Sequence, residues 1–213
     1  MSNIYQLLYL QNLHKQKIIQ LFKNSVDNGN KLLSTSGGGV IVTNDKKKAD
    51  YMRFLSTQAK EPMPFYHHKE IGYNYRMSNV IAGIGRGQIK VLDDYVEKRR
   101  RNYDYYNHHL GVLDAITFIE EPETYYSNRW LTCILLDTKK MRDDLLKLLN
   151  DNNIEARPSW KPMHLQELYK DAPAYLNGVS KKLYECGLCL PSGSNLQEKD
   201  LERITKLILS YFE

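Results

Sequence analysis

The spacing of apolar residues along the chain predicts a protein of alternating helices and strands. Ala49, Met52 and Leu55 recur at the spacing of a helix with one buried face. Short apolar runs bounded by turn-forming residues are typical of strands. From residue 39 onward we expect a strand at 39–43, a helix at 45–57, a loop at 60–75, helices at 79–92 and 93–110, strands at 115–119 and 130–137, a helix at 139–151, a strand at 154–156, a helix at 173–186, a strand at 188–190 and a helix at 197–212. This order indicates the α/β class.

The first 27 residues show a weaker apolar repeat, which favours one imperfect amphipathic helix. Polar residues, among them Gln11, His14 and Lys15, interrupt it too often for a bilayer span. The basic-then-apolar order of a secretory signal is absent from this stretch. We therefore expect a cytoplasmic protein without membrane attachment.

Composition narrows the function classes only a little. The 213 residues are 42% hydrophobic with a mean hydropathy of −0.56, which describes a water-soluble chain able to form a core in one or two domains. The formal net charge is +5, which is mild for a chain of this length. Neither value by itself selects a substrate class.

Two basic triplets, Lys46-Lys47-Lys48 and Arg99-Arg100-Arg101, supply much of the positive charge. We expect each to lie on a solvated helix face; the alternative is contact with an acidic ligand such as a nucleotide diphosphate or a nucleic acid. Tyrosines interleave with basic residues at 95–106, but tyrosines at helical spacing usually pack against a core. Nucleic acid is therefore not an expected partner.

The three cysteines do not form a metal-binding pattern. Cys186 and Cys189 make a C-x-x-C, but zinc needs two further ligands at matching spacing, and Cys133 falls in a predicted apolar strand. We expect reduced, buried thiols and no metal site.

A lysine in a glycine-rich stretch is the strongest chemical signal in the sequence. Lys31 ends the polar run Asn28-Gly29-Asn30-Lys31, and three glycines at 37–39 precede an apolar segment. Five further segments follow: Ile71–Asn79 (IGYNYRMSN), Ala82–Gln88 (AGIGRGQ), Ser127–Thr132 (SNRWLT), Glu155–His164 (EARPSWKPMH) and Gly187–Gly193 (GLCLPSG). In this order they resemble the DegT/DnrJ/EryC1/StrS family of sugar aminotransferases, from about Asn28 to the C-terminus.

The resemblance implies a cofactor, pyridoxal 5′-phosphate (PLP), and two residues that hold it. The family's lysine, which forms an imine with PLP and then moves a proton, corresponds to Lys31. In the family an asparagine in the Gly-Tyr-Asn-Tyr-Arg loop, here Asn74, reaches the PLP phosphate of the neighbouring subunit. An uncharged amide can donate to a phosphate oxygen. The alternative for Asn74 is a turn residue without a ligand.

Six further residues are candidates for substrate binding: His68, Arg76, Arg129, Arg157, Trp160 and His164. Arg76 either pairs with a phosphate or orders its loop, and His68 either lines the same mouth or packs within the loop. Trp160 and His164 lie in a stretch that faces the substrate in relatives, although a core tryptophan and a surface histidine are the plainer interpretation. Arg129 and Arg157 are candidates for diphosphate contact.

The resemblance also predicts the domain organisation. Residues 28–92 would be the C-terminal part of a PLP-dependent transferase large domain, 93–110 a bridging helix, and 111–213 the small α/β C-terminal domain. Residues 1–27 do not resemble the family. Our hypothesis is that they are an out-of-frame or intergenic read-through ahead of a broken gene.

The implied reaction moves an amino group from a donor such as glutamate to a keto nucleotide sugar, for amino sugars of surface polysaccharides or glycans. In the family, the part before the lysine supplies a carboxylate for the pyridine nitrogen, a group that stacks on the ring, and phosphate donors. We therefore expect a truncated or split aminotransferase, inactive alone, that forms a homodimer or joins a complementary half. The alternative is a non-catalytic binding or assembly partner of a full-length relative or of a separately encoded N-terminal half.

Overall fold

The computed structural model describes residues 31–35, 41 and 43–213. The helix expected within 1–27 lies outside the described residues, as does most of the strand expected at 39–43. The chain divides into two compact units, one that ends at Asp93 and one that spans Asp94–Glu213. The domain boundaries expected from the sequence stay a prediction. Among the residues described, no helix is long and apolar enough to cross a membrane.

The first unit contains two capped helices, α1 (Lys46–Ser56) and α2 (Asn79–Lys90). The Asp45 carboxylate accepts hydrogen bonds from the first backbone amides of α1, and the Ser78 hydroxyl accepts one from the Ile81 amide at 3.4 Å. Both residues are N-caps, because a side-chain oxygen satisfies amides that have no partner within the helix. The three lysines at 46–48 are exposed, which confirms the solvated face expected for them.

Helix α3 (Leu92–Leu110) follows α2 after one residue and lies in the second unit from Asp94 onward. The remaining elements are β1 (Ile116–Phe118), β2 (Thr132–Leu136), α4 (Lys139–Asp151), β3 (Arg157–Pro158), two 3₁₀ turns (Met163–Leu165 and Glu167–Tyr169), α5 (Val179–Cys186), β4 (Gly187–Leu190) and α6 (Glu198–Leu209).

The four strands form one antiparallel sheet in the order β1-β2-β4-β3. Along β2, buried residues alternate with partly exposed ones, so one face of the sheet is buried. That face carries Ile134 and Leu188, both fully buried. The core that covers it comes from α3, α4 and α6 and includes Tyr103, Tyr106, Leu110, Leu145, Leu149, Leu201, Ile204 and Ile208. Tyr103 and Tyr106 are therefore core residues, which confirms the packing interpretation of the tyrosine spacing.

The expectation of a solvated face at Arg99-Arg100-Arg101 holds for Arg101, which is exposed, but not for Arg99 and Arg100, which are half-buried. Arg99 donates to the carbonyl oxygen of Trp130. Arg100 donates to Glu121 at 2.8 Å, and Arg101 donates to the carbonyl oxygen of Leu196 at 2.8 Å. The triplet joins α3 to two distant loops, because each long side chain reaches an acceptor that the local sequence does not contain.

The strand expected at 154–156 forms instead at Arg157–Pro158. Ile154 and Ala156 are buried and alternate like strand residues. Their amides, however, bond to the end of α4: the Ile154 amide donates to the Leu149 carbonyl at 2.9 Å, and the Ala156 amide donates to Asn150 Oδ1 at 3.4 Å. Pairing with β4 therefore begins only after residue 156.

The helix expected at 173–186 is shorter and begins at Val179. Gly178 has a φ of 81°, a left-handed conformation that prevents the helix from extending towards residue 173. The side chain of Asn177 accepts a hydrogen bond from the Val179 amide at 3.2 Å. Tyr175 and Leu176, which fall within the range expected for the helix, are exposed.

Candidate functional site

The loop that begins at Lys31 is held by a side chain of α2. The Ser34 amide donates to Gln88 Oε1 at 2.8 Å, and Gln88 Nε2 donates back to the Ser34 carbonyl oxygen. One primary amide thus pairs with both backbone groups of Ser34, as a neighbouring strand would. Leu32 is 7% exposed and Lys31 is half-buried. Gln88 therefore fixes the backbone three residues after the lysine.

A glycine allows this loop to approach α2 closely. A Cβ atom at Gly85 would lie 3.0 Å from Cγ2 of Thr35, which is tighter than an ordinary contact. Gly85 precedes Gln88 by three residues, so the two lie on the same face of the helix. That face of α2 meets the segment that carries Lys31. The glycines at 37–39 lie outside the described residues.

Asn74 lies in a short extended segment that pairs with the end of α1. The Tyr73 amide donates to the Leu55 carbonyl at 3.0 Å, and the Tyr75 amide donates to the Ser56 carbonyl at 3.0 Å. A β-bridge between Thr57 and Asn74 completes the contact. The last carbonyls of a helix lack partners within the helix, and here the segment around Asn74 supplies them.

The turn after α1 has a backbone that requires Gly72. Gln58 and Ala59 have φ values of 68° and 49°, and Ala59 is fully buried. A Cβ atom at Gly72 would lie 2.3 Å from the Ala59 nitrogen and 2.5 Å from the Gln58 carbonyl carbon, both backbone atoms. Since backbone atoms cannot move aside as a side chain can, this position needs glycine.

The side chains on this loop differ in whether they form contacts with other residues of the protein. Asn74 and Arg76 are exposed and, within the part of the chain that the structure describes, make no side-chain hydrogen bond. His68 Nδ1 lies 2.9 Å from the carbonyl oxygen of Gln58, and its ring stacks on Tyr66 at 6.4 Å. The loop packing considered for His68 is therefore present, while Asn74 and Arg76 are available to a ligand.

Arg129, in the second unit, is engaged by its own chain. Its Nη1 donates to the Ile119 carbonyl at 2.9 Å, its Nη2 lies 3.6 Å from Glu121, and its guanidinium lies 3.6 Å from the centre of the Tyr103 ring. The side chain is 13% exposed. These contacts give Arg129 a structural role at the loop that precedes β2.

Glu121 sits between Arg129 and Arg100. Arg100 Nη1 donates to Glu121 Oε2 at 2.8 Å, and this hydrogen bond lowers the pKa of the Glu121 carboxyl below its ordinary value. The same guanidinium lies 4.4 Å from the centre of the Tyr126 ring. This carboxylate therefore joins α3 to the loop between β1 and β2.

The other three candidates of the second unit lie close together in sequence but differ in environment. Arg157 on β3 is exposed and its Nε donates to Glu155 at 2.8 Å. Trp160 is 63% exposed, and its ring lies 5.8 Å from that of Trp130. The expectation of a core tryptophan is therefore wrong. His164 is half-buried in a 3₁₀ turn.

The eight predicted residues thus divide evenly between the units, with Lys31, His68, Asn74 and Arg76 in the first and Arg129, Arg157, Trp160 and His164 in the second. Sequence reasoning missed Gln88 and Gly72, although both fall in segments that carry the resemblance. Among the described residues, no group of three His, Cys, Asp or Glu residues has the arrangement of a metal site.

A family model and individual relatives match nearly the same part of the chain. The model of the DegT/DnrJ/EryC1/StrS aminotransferase family matches residues 28–209. The putative pyridoxal phosphate-dependent aminotransferase EpsN of Bacillus subtilis (strain 168) is 46% identical over 189 residues, which are 87% of this chain and 49% of EpsN. The GDP-perosamine synthase of Escherichia coli O157:H7 is 31% identical over 184 residues, 86% of this chain and 50% of that enzyme.

Solved structures agree with the sequence matches. The aminotransferase TlmJ from Streptoalloteichus hindustanus superposes with a TM-score of 0.76 at 24% identity over 85% of this chain and 50% of that chain. A DegT DnrJ EryC1 StrS aminotransferase from Brucella abortus gives 0.73 at 30% identity over 87% and 49%. The α/β fold of the C-terminal portion is thereby confirmed.

The chain spans about half the length of the curated relatives it matches. Aminotransferases of this kind depend on PLP, and the putative sugar aminotransferase Spr1654 from Streptococcus pneumoniae has been solved in PLP and PMP forms. With a family match over 28–209 and a relative that is 46% identical, the chain belongs to the DegT/DnrJ/EryC1/StrS aminotransferase family.

Proposed function

We propose that this chain is the lysine-bearing half of a PLP-dependent aminotransferase that acts on keto nucleotide sugars. The observation that carries the proposal is the position of Lys31, half-buried in a loop that Gln88 holds to α2 by both backbone groups of Ser34. A loop fixed in this way can present an amine at a constant place, which covalent catalysis requires.

The residues of the first unit fit the cofactor in kind. PLP, when bound, supplies an electron sink for the carbon that loses or gains the amino group. Lys31 offers a primary amine that can bond to PLP and then carry a proton at Nζ. Asn74 offers an exposed amide whose N–H groups can donate to a phosphate oxygen, and its backbone is fixed by the end of α1.

The substrate class is proposed from the relatives. Several are named as GDP-perosamine synthases, and others as transaminases of a UDP-linked amino sugar. We propose by analogy a keto nucleotide sugar as acceptor, an amino acid such as glutamate as donor, and a cytoplasmic reaction that feeds polysaccharide or glycan synthesis. Arg76, Trp160 and His164 are the substrate contacts to test first, because they have exposed or half-buried side chains.

The 213 residues alone are proposed to be inactive. The carboxylate for the pyridine nitrogen and the group that stacks on the ring belong to the other half of the family's length. A separately encoded complementary half would supply them, whereas a homodimer of this chain would not. Exposed apolar side chains in the first unit, such as Ile71 at 83% and Tyr66 at 77%, support an association of this kind.

Reconstitution tests this proposal. The N-terminal half of the Bacillus subtilis relative is co-expressed with this chain, and both PLP retention after desalting and amination of a keto nucleotide sugar are measured. Lys31→Ala should abolish amination, because no other group replaces the amine. Asn74→Ala should weaken PLP affinity roughly ten- to a hundredfold, the effect of losing a hydrogen bond of about 1.5–3 kcal/mol to a charged group. Excess PLP should restore only Asn74→Ala.

Three outcomes would contradict parts of the proposal. A stoichiometric visible band that depends on Lys31 in the isolated chain would show that no complementary half is needed for cofactor binding. Rescue of Lys31→Ala but not of Asn74→Ala by excess PLP would mean that the two roles are assigned wrongly. Full amination by a Lys31→Ala complex would favour the alternative, a non-catalytic assembly partner.

A further inference from the structure

Cys133 and Cys189 face each other across the two central strands of the second unit. Cys133 lies on β2 and Cys189 on β4, and the two residues are direct partners in the antiparallel register. Their Sγ atoms are 3.5 Å apart. On β2, Cys133 alternates with the buried Thr132 and Ile134, so the thiols lie on the sheet face opposite the main core.

The backbone pattern shows which kind of pair this is. The Ser159 amide donates to the Gly187 carbonyl at 3.0 Å, so the polar backbone groups of Gly187 point towards β3. These groups alternate in direction along a strand, and those of Cys189 therefore also point towards β3. Cys133 and Cys189 then form a non-hydrogen-bonded pair, the closer class, with Cα atoms about 4.5 Å apart. That spacing lies within the range of disulfides, about 4.4–6.8 Å.

We propose that Cys133 and Cys189 are a site of reversible oxidation, at which a low-molecular-weight disulfide converts the two thiols into a cross-strand disulfide. The C-x-x-C pair of Cys186 and Cys189 is not this site. Cys186 is buried at the end of α5, and its Sγ lies 3.9 Å from the Asp137 carbonyl oxygen. The inference stands on the geometry of the thiols and does not depend on the proposed cofactor chemistry.

The two thiols are suited to different steps. Cys133 is half-buried, whereas Cys189 is 8% exposed. The hydrogen bond from Cys189 lowers the pKa of the Cys133 thiol, and the same contact together with burial raises the pKa of Cys189. Cys133 is therefore the attacking thiol, because it is both more accessible and more readily ionised.

The reaction is a balanced exchange of two thiols for one disulfide. The Cys133 thiolate attacks one sulfur of the small disulfide, a mixed disulfide forms, and one small thiolate leaves. Cys189 loses its proton to solvent and attacks Cys133 Sγ, which releases the second small thiolate. The protein loses two electrons and two protons, the small disulfide is reduced to two thiols, and the net change in protein mass is a loss of about 2 Da.

The experiment uses the full chain, reduced, desalted and then treated with oxidised glutathione without oxygen. Wild type should fall from three titratable thiols in denaturant to one, and peptide mass mapping should join the Cys133 and Cys189 peptides. The matched control Cys186→Ser should form the same disulfide. Cys189→Ser should accumulate the glutathione adduct on Cys133, because the resolving thiol is missing. Cys133→Ser should form little adduct, because Cys189 is buried.

Peptide mapping of the wild type shows whether Cys133 and Cys189 form the disulfide, even if a variant folds poorly. Wild-type protein that keeps three thiols under these conditions would overturn the proposal. So would a disulfide between Cys186 and Cys189, or a wild-type glutathione adduct on Cys133 that does not resolve. Reduction with dithiothreitol should restore all three thiols, and failure to do so would contradict reversibility.

Discussion

Gln88 and Gly72 each hold the backbone of a loop that carries a candidate site residue. Gln88 does so with its side chain, which pairs with Ser34. Gly72 does so by lacking one, because a Cβ atom would meet backbone atoms of Gln58 and Ala59. At both positions a substitution changes the path of the main chain while the candidate residues, Lys31 and Asn74, remain unaltered.

Gln88→Ala should loosen the segment after Lys31. The substitution removes both hydrogen bonds to Ser34, and one such bond is worth about 0.5–1.5 kcal/mol. The two bonds together are worth about 1–3 kcal/mol, so amide hydrogen exchange at Ser34 should become roughly five- to a hundredfold faster if local opening limits it. Arg86→Ala, on the exposed face of the same helix, serves as the control. Equal exchange at Ser34 in wild type and Gln88→Ala would show that the bonds do not hold the loop.

Gly72→Ala should destabilise the first unit by about 1–3 kcal/mol, because the new methyl group cannot fit beside the Ala59 backbone. The comparison variant is Gly83→Ala on α2, where an added Cβ meets nothing within 4 Å. Alanine there favours the helix by up to about 1 kcal/mol. Urea unfolding should show midpoints that move in opposite directions. Midpoints that move in the same direction would contradict the steric argument.

Whether the role of a single residue can be predicted from the sequence depends on how far along the chain its contact partner lies. Lys31 stands in a run of neighbouring residues that itself resembles a family motif, so the sequence alone singles it out. Gln88 bonds to Ser34, 54 residues away, and no local sequence pattern predicts a hydrogen bond of this kind. The same holds for Arg100, whose partner Glu121 is 21 residues away.

At the scale of elements, the sequence predicted best the helices whose signals are local. Helix α4 spans Lys139–Asp151, the range expected, because Thr138 caps it and its apolar residues repeat at helical spacing. The strand at 157–158 was misplaced because hydrogen bonds to the end of α4, a tertiary feature, decide where pairing begins. The start of α5 was placed too early because Gly178 adopts a left-handed conformation directly before Val179, where the helix begins.

The attachment of α3 to the loop before β2 should depend on pH through Glu121. Its pKa is lowered in the folded protein, so the carboxylate contributes stability above its ordinary value of 4.5, and this contribution is lost as the pH falls through the lower folded-state value. Glu121→Gln should lower the urea midpoint at neutral pH. The difference from wild type should shrink once the pH is well below the ordinary value.

The exposed Glu123→Gln variant is the control for this titration, and its midpoint should follow wild type at every pH. A deficit of Glu121→Gln that persisted unchanged in acid would mean that the ion pair with Arg100 is not its cause.

On the scale of the whole molecule, exposed apolar side chains should drive association. In the second unit, Leu168 is 82% and Tyr175 fully exposed, in a segment that joins β3 to α5. Static light scattering of the isolated chain should show a mass that rises with concentration, and the double variant Leu168→Asn/Tyr175→Ser should reduce that rise. Val112→Asn changes an exposed apolar residue outside this segment and is the control. A constant monomer mass across concentrations would contradict the prediction.

The edge strand β3 restricts the form that such aggregates can take. Its two residues are Arg157, whose polar backbone groups point towards β4, and Pro158, which has no N–H to offer on the outer side. A second chain approaching this edge finds one carbonyl and no donor, so it cannot continue the ladder. Addition of a further strand, the step by which a cross-β fibril grows, is therefore disfavoured at this edge of the sheet.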